Sequence, residues 1–249
     1  MSLAFFKSAD RKQQVKRSLT GFWASMVMLL LFTVGAVEAK DPIRTIDDVL
    51  AQYQERVQKR LKPRFDFANV AWPPEKVALV AFKDTRLLEL WSYTSGTWQH
   101  IKDYRVKGMS GKRGPKLREG DYQVPEGRYQ IELLNPNSAY HLSLKLDYPN
   151  DYDRQQAEAD GRKDLGGDIF IHGGRLSKGC IAIGNSAAEE LFILTALIGE
   201  SNVSVLIAPR DFRFRPQTTL PVDAPIWIGD LNQQIATQLL QFPLAEKSH

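Results

Sequence analysis

From residue 46 to 61 the apolar positions Ile46, Val49, Leu50, Tyr53, Val57 and Leu61 recur at helical spacing between polar side chains, which predicts an amphipathic helix. Thr45, with Asp48 three residues on, reads as its N-terminal cap, and Pro63 as its end. After Trp72-Pro-Pro the period changes. Val77 to Phe82, Leu87 to Tyr93, Thr97 to Val106, Tyr129 to Asn135 and Tyr140 to Tyr148 are rich in β-branched and aromatic residues and predict strands. Lys83-Asp84, Ser95-Gly96 and Asn135-Pro-Asn between them predict turns, and antiparallel hairpins follow from that order.

Farther along, Asp151 to Asp164 is polar and helix-tolerant, and predicts a short helix. Ile181 to Ile183 reads as a short strand broken by Gly184-Asn185. Ser186 to Glu189 reads as a capping box for a helix running to about Ile198 and ended by Gly199. A buried strand, Val203 to Ala208, and a last amphipathic helix with Leu231, Ile235 and Leu239 follow, joined by a Pro-rich link. The class is therefore mainly β with flanking α-helices. Gly108 to Gly120, glycine-rich and basic, is a loop by composition, either substrate-facing or a solvated connection.

The N-terminus has a different character. Lys7, Arg11, Lys12, Lys16 and Arg17 precede an almost wholly apolar stretch from Phe22 to Val37, and Ala36-Val-Glu-Ala39 offers small residues for a signal peptidase. Residues 1–39 read as a signal peptide cleaved after Ala39. The alternative is an uncleaved anchor, the one route by which this chain would touch a membrane, although the apolar run falls short of the ~20 residues a spanning helix needs. Either reading exports the remainder. Residues 1–39 hold five of the 33 basic and two of the 29 acidic residues, so the net charge falls from +4 to +1 without them. The basic balance therefore points to no nucleic-acid partner.

Candidate chemistry is concentrated in Ile169-Phe-Ile-His172-Gly-Gly-Arg175-Leu-Ser177-Lys178-Gly179-Cys180-Ile-Ala-Ile183. Cys180 is the only cysteine, whereas exported proteins ordinarily use cysteine in disulfide pairs. A buried cysteine acting as a small hydrophobe is the plain reading. Against it stands His172, eight residues upstream at a strand end, with Gly173 and Gly174 permitting a sharp turn. A thiolate attacks a carbonyl carbon well when a base takes its proton and backbone N–H groups receive the developing oxyanion. N–H groups at Gly179 and Cys180, left unpaired near the following helix cap, are the candidate oxyanion site. No His-x-x-x-His or Cys-x-x-Cys spacing supplies metal ligands, and no cofactor is implied. His141 alternates along an apparent strand and reads as a core or groove-lining residue.

The pattern His-Gly-x-x-x-Ser-x-Gly-Cys resembles the active-site motif of the YkuD-type L,D-transpeptidases, which act on bacterial peptidoglycan. Gly114-Pro115-Lys116, Glu119 to Tyr129 and Asp147-Tyr-Pro-Asn-Asp-Tyr-Asp153 are similar to segments of that family, the last to its YafK-like branch. The resemblance implies a β-rich catalytic domain over residues 72–210, preceded by a helix and linker (40–71) and followed by an extension with a helix (211–249). It implies Cys180 as nucleophile, His172 as base and the Gly173 carbonyl as the group that orients the imidazole. Ser177, Gly179, Lys178 and Arg175 become oxyanion or substrate-binding candidates. Most members carry a second histidine where this chain has Lys178, and a longer insertion between the first histidine and the cysteine. Implied partners are peptidoglycan stem peptides, with murein-attached lipoprotein as a further substrate of the YafK-like branch, in the periplasm of a Gram-negative bacterium. The implied reaction is a thioester on Cys180 resolved by an amine, which cross-links. Its alternative is hydrolysis by water, and a wall-binding module with an inert thiol is the alternative of another class. A thiol alkylated quickly near neutral pH is what the enzyme readings expect.

Overall fold

The computed structural model describes residues 43–215 and 224–244; the signal peptide expected over 1–39 and most of the Pro-rich link lie outside them. Thr45 caps α1 (Ile46–Phe67) with a full capping box: the Asp48 N–H donates to Thr45 Oγ1 at 3.1 Å and the Thr45 N–H to Asp48 Oδ2 at 2.8 Å. Val49, Tyr53, Val57, Leu61 and Phe65 recur every fourth residue, and all are buried. Pro63 does not end the helix, contrary to the sequence expectation, and α1 continues to Phe67. A proline there costs about 3 kcal/mol. Burying the Phe65 ring, fully covered and packed edge-on against Trp72 at 5.1 Å, offsets a comparable amount.

Eight strands form one sheet: β1 (Val77–Phe82), β2 (Leu87–Thr94), β3 (Thr97–Arg105), β4 (Gly127–Asn135), β5 (Ser143–Leu146), β6 (Phe170–His172), β7 (Ile181–Ala182) and β8 (Val203–Ala208). Their spatial order is β3-β2-β1-β8-β4-β5-β6-β7. The pairs β1/β2, β2/β3 and β4/β5 are the antiparallel hairpins the sequence predicts. Two parallel pairings, β1 with β8 and β6 with β7, join strands through intervening chain that carries no hairpin signal. Along β1 the side chains alternate between two cores, as a pleated strand requires. Val77, Leu79 and Ala81 join the core under α1 and α3 (Asn185–Ile198), while Ala78, Val80 and Phe82 join the core under α4 (Trp227–Leu239). The structure is thus mainly β with helices flanking the sheet.

Two local expectations change. The strand expected over Tyr140 to Tyr148 shortens to β5, and His141 sits before it in a turn with φ of +79°. The capping box expected at Ser186 and Glu189 is absent: α3 starts after Gly184 with no side-chain cap. Glu189 is drawn instead to Arg56 and Arg60 on α1, each at 3.1 Å, and to His141 Nε2 at 3.1 Å. Beside it, Glu190 takes Arg60 at 2.9 Å, Lys102 at 2.7 Å and the Tyr104 hydroxyl at 3.0 Å. Two buried carboxylates stand side by side because several cations and a hydroxyl share them.

A helix links β5 to β6. This α2 (Asp151–Ala159) begins with a capping box between Asn150 and Asp153, and the other oxygen of Asp153 accepts from the Tyr129 hydroxyl at 3.2 Å. Burial pushes the Asp153 carboxyl up to about 6, against the lowering effect of the Asn150 N–H. Its proton is therefore held more tightly in the folded than in the unfolded chain, a contribution present at pH 4 and lost as pH rises towards 6. Asp153→Asn carries no such loss. The thermal midpoint of the variant, relative to the native chain, is expected to rise by about 5 °C between pH 4 and pH 7 in calorimetry. A difference that stays constant across that range would refute it, since weakening of the Asn150 capping box alone acts equally at every pH.

Candidate active site

Parallel pairing sets Ile171 opposite Ile181 and His172 opposite Ala182, and the Ile183 N–H donates to the His172 carbonyl at 2.9 Å. The chain from 173 to 180 must therefore leave the C-terminal end of β6 and return to the start of β7. Gly174 (φ +69°) and Gly179 (φ +84°) supply left-handed turns, which favour glycine. Gly173 is required for a different reason: a Cβ there would lie 2.5 Å from the Tyr140 carbonyl oxygen and 2.8 Å from Asn185 Oδ1. Asn185 Oδ1 in turn accepts the Gly174 N–H at 2.7 Å.

His172 is buried, 2% exposed, with Nδ1 2.6 Å from the Gly173 carbonyl oxygen. A carbonyl only accepts, so Nδ1 carries the proton and Nε2 is left with its lone pair. The Tyr140 ring lies on the imidazole, with centroids 4.6 Å apart and planes 34° from parallel. Burial pulls the imidazole below the ordinary histidine value, and the Gly173 carbonyl partly opposes it.

Cys180 Sγ accepts from the Phe170 N–H at 3.4 Å and donates to the Asp168 carbonyl at 3.6 Å. Asp168 offers that carbonyl from a left-handed conformation, φ +53°, and its carboxylate is 3.4 Å from Lys145 Nζ. Burial pushes the thiol up; the Phe170 N–H opposes that, the Asp168 carboxylate adds to it and the Lys116 ammonium opposes it. Burial thus shifts thiol and imidazole alike towards their neutral forms, the direction opposite to the easily ionised thiol that the sequence reading expects.

Both side chains line one cleft of about 570 Å³, together with Ser177, Lys178, Leu176, Phe170 and Tyr140. Arg175 is exposed on the turn and does not line it. Lys178 Nζ lies 5.8 Å from the Tyr122 ring centroid, a cation–π contact. The N–H groups expected to be free are both taken. Gly179 N–H donates to Ser110 Oγ at 2.6 Å and Cys180 N–H to Ser177 Oγ at 3.1 Å, while those hydroxyls donate to the carbonyls of Tyr122 at 2.8 Å and Cys180 at 2.6 Å. α3 begins beyond β7 in the chain and meets the turn through Asn185, whose Oδ1 accepts the Gly174 N–H.

Ser110 belongs to the basic glycine-rich loop, which thus reaches the candidate site although Gly111 to Arg113 and Arg118 to Gly120 are exposed. Lys116, 6% exposed, ties it down through Asp121 at 2.9 Å and the Arg118 carbonyl at 2.9 Å. Asp121 also accepts the N–H groups of Leu117, Arg118 and Gln123. Sequence reasoning missed Ser110, Tyr140 and Asp168; Asp168 after Gly166-Gly167 carried a weak turn signal, the others none. Among the described residues no group of three His, Cys, Asp or Glu side chains is placed to hold a metal.

Two outcomes are expected. Iodoacetamide alkylation of Cys180 in the resting protein inflects above about 8.5, the ordinary thiol value; an inflection at or below pH 7 would show an ion pair instead. Gly173→Ala lowers stability by about 3 kcal/mol in urea unfolding, because the carbonyl of Tyr140 has to move.

Compared with known proteins, residues 75–205 match the model of the YkuD family, the L,D-transpeptidase catalytic domain. Over 138 residues the chain is 36% identical to the Escherichia coli (strain K12) protein named "Putative L,D-transpeptidase YafK", covering 53% of this chain and 54% of that one. It thus spans about half the length of the curated relatives it matches. Among solved structures, the helical cell shape determining protein Pgp2 from Campylobacter jejuni aligns at 23% identity with a TM-score of 0.44, over 65% of this chain and 52% of that one. L,D-transpeptidase 1 of Mycobacterium tuberculosis aligns at 10% identity with a TM-score of 0.32, over 53% and 62%. The family match takes in β1 to the middle of β8, more than half of the 249 residues and the whole of the His172–Cys180 turn, and the chain accordingly belongs to the YkuD family of L,D-transpeptidase catalytic domains.

Proposed function

We propose that this protein is an exported cysteine acyltransferase acting on peptidoglycan stem peptides in the periplasm of a Gram-negative bacterium, with Cys180 as nucleophile and His172 as base. The observation that carries the reading is the shared cleft in which a thiol and an imidazole with only Nδ1 engaged stand together. Substrate binding displaces water, and the Cys180 proton passes to His172 Nε2 as sulfur bonds to the peptide carbonyl carbon. The imidazolium then returns that proton to the departing amine when the C–N bond breaks, leaving a thioester on Cys180. An amine from a second stem peptide resolves it to a cross-link, and water in its place gives hydrolysis, including release of a peptidoglycan-attached lipoprotein.

In this reading the carbonyl of Gly173 orients the imidazole, and the oxyanion takes the N–H groups of Gly179 and Cys180 once the hydroxyls of Ser110 and Ser177 turn aside. Because each hydroxyl also has a carbonyl to bond, the exchange leaves no buried donor unpaired. Lys178 and Arg175 are proposed to pair with stem-peptide carboxylates, Arg175 by two parallel hydrogen bonds. Residues 1–39 are proposed as the export signal. The test incubates the protein and its Cys180→Ala variant with purified sacculi and tetrapeptide muropeptides, followed by mass spectrometry. New dimers that depend on Cys180 establish transpeptidation. Smaller peptides or freed protein adducts without dimers establish hydrolysis, and identical spectra from both proteins refute an enzymatic role for the thiol.

A further inference from the structure

The wall of the cleft behind His172 is held by a part of the chain that lies ahead of the family match. Residues 136–142 join β4 to β5, and from this segment the Tyr140 ring covers one face of the imidazole while remaining half exposed. Four hydrogen bonds join Arg44 to this segment. The Arg44 N–H donates to Asn137 Oδ1 at 2.9 Å, Asn137 Nδ2 donates back to the Arg44 carbonyl at 2.8 Å, and the Arg44 guanidinium donates to the carbonyls of Pro136 and of His141, the latter at 3.2 Å. His141, next in the chain after Tyr140, meets Tyr53 of α1 edge-on at 5.6 Å and Glu189 at 3.1 Å. The Tyr140 carbonyl occupies the space that a side chain at Gly173 would fill. His141 is held at φ +79° meanwhile, a conformation that costs a non-glycine residue on the order of 1 kcal/mol or more and persists only where its surroundings impose it.

These interactions have a common direction. Arg44 and Tyr53 precede residue 75, where the family match begins, yet both end on the segment that carries Tyr140. We propose that Tyr140 is a positioning residue for His172 and that Arg44, with α1 behind it, is the brace that holds Tyr140 in place. The Gly173 carbonyl fixes one edge of the imidazole and the Tyr140 ring closes one face, so Nε2 is the ring nitrogen turned to the cleft. Geometry of this kind contributes through orientation and exclusion of water, and a displaced base loses rate steeply. The proposal rests on His172 being the base of the reaction proposed above, whereas its structural half can be read without turnover.

The measurement is the titration of His172 in the purified full-length protein, followed by long-range ¹H–¹⁵N NMR of its ring, beside turnover of tetrapeptide muropeptides. Tyr140→Ala is expected to raise the His172 titration towards the ordinary histidine value by about half a pH unit, as water reaches the ring face, and to lower kcat about tenfold. Tyr140→Phe keeps the ring and is expected to titrate as the native protein does. Arg44→Ala and Asn137→Ala, which break the clasp at two different ends, are expected to shift the titration in the same direction as Tyr140→Ala and by less. Unchanged titration in Tyr140→Ala would overturn the positioning role, and unchanged titration in both clasp variants would overturn the brace. A native protein that turns over no muropeptide but shows these shifts would count against the proposed reaction alone.

Discussion

Everything at the site depends on the parallel pairing of β6 with β7. Parallel neighbours are ordinarily joined by a crossover of about a dozen residues or more, yet residues 173–180 make this return by themselves, using left-handed turns at Gly174 and Gly179. The register then dictates the chemistry. With His172 opposite Ala182, Cys180 comes to lie beside the start of β6, and the Phe170 N–H and Asp168 carbonyl become its hydrogen-bond partners. A slip of one residue would turn every side chain of β7 to the other face of the sheet.

Around that turn, buried ion pairs fasten segments that have no sheet pairing of their own. Lys83 Nζ lies 3.0 Å from Glu126 Oε1, with both side chains almost inaccessible, and donates to the carbonyls of Gly114 and Val124. Burial pulls the Lys83 ammonium down, and the Glu126 carboxylate opposes that. Such pairs contribute little net stability, because desolvation cancels much of their attraction, but breaking one leaves an uncompensated buried charge. Their effect here is to specify position. Lys83 and Lys116 hold the basic loop so that Ser110 reaches Gly179, and Glu189 links α1, α3 and His141.

Burial that favours the neutral thiol also protects the single cysteine of this chain. Oxidation and adventitious alkylation both proceed through the thiolate. Burial that favours the protonated Cys180, with no second cysteine in the chain to form a disulfide, leaves the thiol less open to those reactions. The hydroxyls of Ser110 and Ser177 act alongside it, because they satisfy amides that would otherwise be unpaired donors in the resting cleft.

Much of this was legible in the chain itself. Runs of β-branched and aromatic residues located β1, β2, β3, β4 and β8 to within about two residues, since such side chains pack well on a pleated, largely buried surface. His172, the glycines after it and Cys180 stood out because a short motif carries its own local geometry. Local patterns failed where a distant partner decided the outcome. Burial of Phe65 carried α1 past Pro63, and the cations on α1 drew Glu189 out of the cap that its spacing with Ser186 suggested. Tyr140 read as part of a strand because its neighbours alternate, whereas the clasp from Arg44 bends that segment over His172. The sequence by itself determined the strands, the helices and the two residues of the candidate chemistry, each of which depends on neighbours within a few positions. Only the tertiary structure decided which hydroxyls cap the amides, which ring covers the imidazole and in which direction burial shifts the pair, because those depend on burial and on interactions between residues far apart in the chain.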